Sequence, residues 1–173
     1  MKAKYLLFIT ISTMVSVVAC CGEEWRSDEF NCAVAPPNSA DWAQPPLPNP
    51  SIKFLAQTKD RSTSVLLSVV PLPPDKNETL NTRFIEGFEG SYFKPGQSKK
   101  TSGVGLVIQG IPAYKLTGEL YANGATFYRA VTLWIADNRL YQLVALKSKS
   151  LPLDDPEVRT FISSFHFLHP PKI

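Results

Sequence analysis

The stretch ATFYRAVTLWIADNRLYQLVAL, residues 125–146, decides the fold. It holds two runs rich in β-branched and aromatic residues, joined by Asp137-Asn138. Asp and Asn tolerate positive φ, so the pair suits a tight hairpin turn. At a period of two, Phe127, Val131, Leu133 and Ile135 share one face of the first strand. Tyr128, Ala130 and Trp134 share the other. Leu140, Val144 and Leu146 oppose Tyr141, Leu143 and Ala145 in the same way. Both faces are largely apolar, whereas a half-exposed antiparallel sheet alternates apolar with polar. Something must therefore cover both sides of this sheet.

Working outward, VGLVIQG (104–110) and AYKLTGELY (113–121) supply two more strands before the hairpin. The basic segment KPGQSKKTSG (94–103) is expected to be a flexible loop. Upstream, SIKFLAQTK (51–59) and STSVLLSVVPL (62–72) form a further expected hairpin around Asp60-Arg61. Two helices are expected, one for each face of the sheet. Leu80, Phe84 and Phe88 recur at helical spacing, with Asn77 or Thr79 as N-cap and Gly90 near the end. Gly87 weakens that helix by about 1 kcal/mol relative to Ala. LDDPEVRTFISSFHFLHPP (153–171) supplies the second, with Asp155 as N-cap, Pro156 at the first position and Glu157 complementing the dipole. Its apolar stripe is Val158, Phe161, Ile162 and Phe165, and FHFL (165–168) reads as a short closing strand.

The N-terminus is organised differently. Lys2 and Lys4 precede an uncharged apolar run at 6–19 that is too short to span a bilayer. This is the plan of an export signal over residues 1–19. Val17-Val18-Ala19-Cys20 resembles the bacterial lipobox, by which Cys20 would be lipidated and become the first residue. An ordinary signal peptidase reads Val17-x-Ala19 equally well as a small-x-small site. The chain has three cysteines. Exported thiols are usually paired or modified, so lipidation of Cys20 leaves Cys21 and Cys32 either to close a short disulfide loop or to remain separate. Six prolines between 33 and 50 preclude a long helix or a central strand. The segment 20–50 reads as a membrane-proximal spacer partly docked on the body, because Trp42 needs a surface to bury it. EFNCAVAPP (29–37) is the expected first strand.

Chemistry-bearing patterns are sparse. His166 and His169 form H-x-x-H, but a strand would send them to opposite faces, and no third ligand accompanies them. Ser91-Tyr92-Phe93-Lys94 formally matches S-x-x-K and Lys100-Thr101-Ser102-Gly103 vaguely matches K-T-G, without the intervening element that acyl transfer needs. No G-x-S-x-G elbow and no complete phosphate loop is present. Glu86 and Glu89 lie on one helix rather than across a cleft. Lys94, Lys99 and Lys100 read as a solvated loop, with contact to an acidic partner as the alternative. Asn77-Glu78-Thr79 matches an N-glycosylation sequon. A formal net charge of +3, two of whose lysines leave with the signal, is no nucleic-acid footprint. Apolar content of 44% against 19% charged marks a globular rather than a disordered body.

The order of these parts resembles the Mog/PsbP-like superfamily. The matching features are Gly110-Ile111-Pro112-Ala113-Tyr114 at a strand start, the strand Arg139 to Leu143, and a final helix running into Ser164-Phe165-His166-Phe167. The resemblance spans about residues 28–169. It implies an α+β fold, an antiparallel sheet between helical layers (an α/β/α sandwich), within a globular domain over 51–173. It carries over no binding residues. The chain is thus expected to be a lipid-anchored protein of the bacterial cell envelope. Its expected role is non-enzymatic, binding or supporting an envelope protein, without cofactor, catalytic residue or metal site. The alternative is a carrier of a small molecule or lipid in a pocket between sheet and helix.

Overall fold

The computed structural model describes residues 23–73, 79–122, 124–148 and 150–172. Cys20, Cys21, the expected export signal and Asn77 lie outside them. In chain order the elements are β1 Trp25–Ser27, β2 Cys32–Val34, β3 Trp42–Ala43, β4 Ile52–Thr58, β5 Thr63–Pro71, α1 Thr82–Tyr92, β6 Ser98–Ile108, β7 Ile111–Ala122, β8 Ala125–Ala136, β9 Arg139–Ser148, α2 Pro156–Ser164 and β10 His166–Phe167. Seven strands form one antiparallel sheet in the order β3-β4-β5-β9-β8-β7-β6, and β1-β2-β10 form a small second sheet.

The quoted hairpin lies inside the large sheet. Asp137 and Asn138 both take positive φ (50° and 55°), as the two-residue turn requires. Val131 pairs with Val144, Leu133 with Gln142 and Trp134 with Tyr141. The alternation divides the core as the pattern predicts. Trp134, Tyr141, Leu143 and Ala145 join Val65, Leu67 and Val69 in the larger cluster, which α2 closes with Val158 and Phe161. Val131, Leu133 and Leu140 join Leu116 on the opposite face, where Leu80, Phe84, Phe88 and Tyr92 of the α1 region pack.

The layers on this sheet are thinner than expected. None of the residues of α1 is fully buried. On the other face α2 shares the covering with the small sheet: Cys32 and Val34 of β2 belong to the same cluster. Helix α2 begins as its sequence predicts, with Asp155 Oδ1 accepting from the amides of Glu157 (3.0 Å) and Val158 (3.4 Å). Phe165 lies just past its end, and its ring packs edge-on against Trp134 with centroids 4.5 Å apart.

Three local expectations are corrected. The N-cap of α1 is Asn81, whose Oδ1 accepts from the Phe84 amide at 2.9 Å. Thr79 instead accepts from the Asn81 side chain. The segment 98–103 is no loop but the first half of β6, bulged between Lys100 and Ser102 and paired to β7. An edge strand with mostly exposed side chains carries no apolar alternation to reveal it. The first strand is β1 at Trp25, and the Cys32 strand is the second.

Candidate functional site

Helix α1 covers only part of its face of the large sheet. Three rows of side chains cross strands β5, β9 and β8 there. The first row is Ser64, Leu146 and Arg129. The second is Leu66, Val144 and Val131. The third is Ser68, Gln142 and Leu133. Helix α1 packs on the β8 end of the second and third rows, over Val131 and Leu133. The β5 and β9 ends form the floor of an open groove of about 560 Å³, walled by Tyr92 at the end of α1 and by the loop at Asn49 and Ser51. That volume lies within the range of small-molecule sites.

Local packing holds the groove's wall. Tyr92 stacks on Phe88 with centroids 4.6 Å apart, and its hydroxyl donates to Gln142 Oε1 at 3.3 Å. The Arg129 guanidinium lies over the Tyr92 ring, 4.8 Å from its centroid. Burial pushes the Tyr92 pKa up against the opposing pull of Arg129, so the phenol is neutral at physiological pH. Next along the chain, Phe93 lies against Gly118, where a Cβ would collide with its ring. Gly118 is paired with Arg129, so the missing side chain at 118 makes room for the aromatic wall. The hub at the other side of α1 is Glu89, which accepts from Lys100 and, at 3.0 Å, from the Tyr114 hydroxyl.

A second, polar hollow of about 460 Å³ lies at Trp42, Thr58, Lys147, Asp155 and Glu157. Its charges serve the fold. Lys147 pairs with Asp155 at 2.9 Å. Glu157 accepts from the amides of Asn38 (3.2 Å) and Ser39 (3.0 Å), the Ser39 hydroxyl (2.9 Å) and the Trp42 indole N–H (2.7 Å). Desolvation opposes the charge of Glu157, but these bonds outweigh it and its pKa is lowered. The proline-rich segment is thereby fastened to the first turn of α2.

The residues singled out in the sequence are scattered. Cys32 is fully buried on β2, with no disulfide partner among the described residues. Burial raises its thiol pKa to about 12, against a smaller lowering by Arg139, which leaves it a weak nucleophile. His166 Nδ1 lies 3.0 Å from the Ser164 carbonyl and 3.5 Å from Glu24 Oε1, while the His169 amide donates to Asn31. Ser91 donates to the Phe88 carbonyl at 2.7 Å, a helix-end bond. Glu86 is exposed on α1. No group of three or more potential metal ligands occurs among the described residues, and no helix among them is long and apolar enough to cross a membrane. Sequence reasoning missed Arg129, Tyr92, Gln142 and Ser68. The signal for Arg129 was present: a cation within an otherwise apolar two-faced strand.

Solved structures resemble this arrangement at low sequence identity. The solution structure of cyanobacterial PsbP from Synechocystis sp. PCC 6803 matches with a TM-score of 0.60 and 12% identity, over 84% of this chain and 91% of that one. The Ran-binding protein Mog1p of Saccharomyces cerevisiae matches with a TM-score of 0.56 and 10% identity, over 86% and 96%. A protein of unknown function from Pseudomonas aeruginosa, described as a putative regulator, matches at 0.52 and 12%, over 83% and 94%. No family model and no curated protein sequence matches. The chain has the fold of the Mog/PsbP-like superfamily.

Proposed function

We propose that this chain is an exported, non-enzymatic binding module, held at the bacterial cell envelope by a lipid on Cys20, that binds or supports an envelope protein. The observation that carries the reading is the groove beside α1. Leu66, Val144 and Leu146 line it, each only partly buried, next to polar groups of Arg129, Ser64 and Ser68. A concave lining of partly exposed apolar side chains with a few convergent polar groups is the usual form of a binding site. The yeast protein with this fold is a Ran-binding protein, which is a protein-binding role of that protein. The export signal directs this chain to a different partner. The sandwich reading, with a helix on each face, accords with α1 and α2 packing in separate clusters. The carrier reading is favoured by one further observation, the size of the groove.

The test is mild cross-linking and capture from native membranes, with intact-mass analysis of the captured chain. A diacylglyceryl mass on Cys20 and one dominant partner, lost in Leu66→Glu, is the expected result. Cys20→Ala should release the protein from membranes. A Cys20→Ala protein that stays equally membrane-bound refutes the anchor. A partner retained by a folded Leu66→Glu protein refutes the groove as the binding surface.

A further inference from the structure

We propose that the groove beside α1 binds an aliphatic monocarboxylate, its head on the Arg129 guanidinium and its chain along Leu146, Val144 and Leu66. The inference rests on the reading of this groove as a binding site and names the ligand class.

Three observations carry it. First, Arg129 is half-buried and no carboxylate pairs with it among the described residues; it lies against the face of Tyr92. A cation over an aromatic face keeps the edge of its fork free, and that fork matches a carboxylate bidentately. A partly desolvated charge without a counter-ion is costly unless something supplies one. Second, among the described residues Arg129 is the one charged side chain lining the groove. A single positive charge balances a single negative one, which favours a carboxylate over a phosphate monoester dianion. Third, Ser68 is only 8% exposed, lines the groove and makes no hydrogen bond among the described residues. Ser64, also on the lining, makes none either. Both side chains line the groove, so their hydroxyls are available to a ligand's head group or to water. Between Arg129 on β8 and Leu66 on β5 lie two inter-strand spacings, about 10 Å, floored by Leu146 and Val144. A medium-length aliphatic chain fits that span.

The experiment is isothermal titration of the full chain with decanoate, below its micelle concentration, alongside decanol and decyl phosphate. Saturable one-to-one binding of decanoate is expected, with decanol weaker by roughly tenfold or more, the worth of a charge-assisted hydrogen bond. Arg129→Gln should weaken decanoate by a similar factor and leave decanol unchanged. Arg129→Lys keeps the charge without the fork and should fall between wild type and Arg129→Gln; it also serves if the Gln variant folds poorly. Absence of saturable decanoate binding overturns the proposal. So does equal affinity in wild type and Arg129→Gln, or a clear preference for decyl phosphate. If decanoate fails to bind while protein capture is still lost in Leu66→Glu, the carboxylate inference falls and the binding-module reading stands. If decanoate binds and no protein is captured, the reverse holds.

Discussion

Replacing Glu157 by Ala tests whether the proline-rich segment is held by one carboxylate. The side chain accepts four hydrogen bonds, the shortest from the Trp42 indole at 2.7 Å. The four do not add at full strength. The site is partly solvated, so the amides of Asn38 and Ser39 and the Ser39 hydroxyl rehydrate when the carboxylate goes, and screening discounts the charge. The part-buried Trp42 N–H is different, because Trp42 is only 6% exposed and packs in the main core. Leaving that donor unsatisfied costs about 1–3 kcal/mol, and each of the exposed bonds adds a few tenths. Glu157→Ala should therefore destabilise by about 2 kcal/mol, or lower Tm by roughly 4–8 °C for a chain of this length. Glu157→Gln retains an acceptor and loses the charge, so it should cost about half as much. Urea denaturation followed by far-UV circular dichroism gives the free energies, and hydrogen exchange at the Asn38 and Ser39 amides locates the change. An Ala variant within 0.5 kcal/mol of wild type would refute the reasoning. So would faster exchange spread evenly over the domain.

Three other outcomes follow from the same structure. Gly87 lies mid-helix in α1 with open space where a Cβ would sit, so Gly87→Ala should stabilise by about 0.5–1 kcal/mol in thermal unfolding; a loss would mean that α1 docks more tightly than its exposure shows. Gly118→Ala should destabilise by about 1–3 kcal/mol in the same assay, because the methyl meets the Phe93 ring and the Lys99 carbonyl; a neutral result would mean that the aromatic wall yields freely. The lowered pKa values of Glu157 and Asp155, and of Asp60 at about 2, make the folded state bind fewer protons than the unfolded one in acid. Their stabilisation is present above the ordinary carboxylate pKa near 4 and is lost as pH falls through the lowered folded values. Tm should thus be flat from about pH 7 to 5 and fall below about pH 4, less steeply in Glu157→Gln. An identical acid slope in that variant counts against the Glu157 contribution.

Much of the fold was legible where the signal was local. The period-two runs of β8 and β9, the positive-φ pair Asp137-Asn138 and the Asp155-Pro156 helix start all depend on residues a few positions apart, and each appears in place. The beginning of β6 was not legible. Lys99 and Lys100 are exposed polar residues of an edge strand, Lys100 reaching Glu89 of α1, and only their pairing with Glu119 and Gly118 makes them part of a sheet. Glu157 was read as a residue complementing the helix dipole. Its attachment to Ser39, 118 positions away, has no sequence signature.

The sequence by itself determined an antiparallel sheet with two apolar faces, and one helix available to each, because side-chain periodicity is a property of consecutive residues. It also determined the charge balance that argues against a nucleic-acid partner. Only the tertiary structure decided where α1 stops along its face, that β5 neighbours β9, and that Tyr92 meets Arg129 there. Those facts depend on how chain closure and side-chain volumes are satisfied together, as when Gly118 admits Phe93. The open groove is what remains of an apolar face when a helix of only 11 residues has covered as much of it as it can.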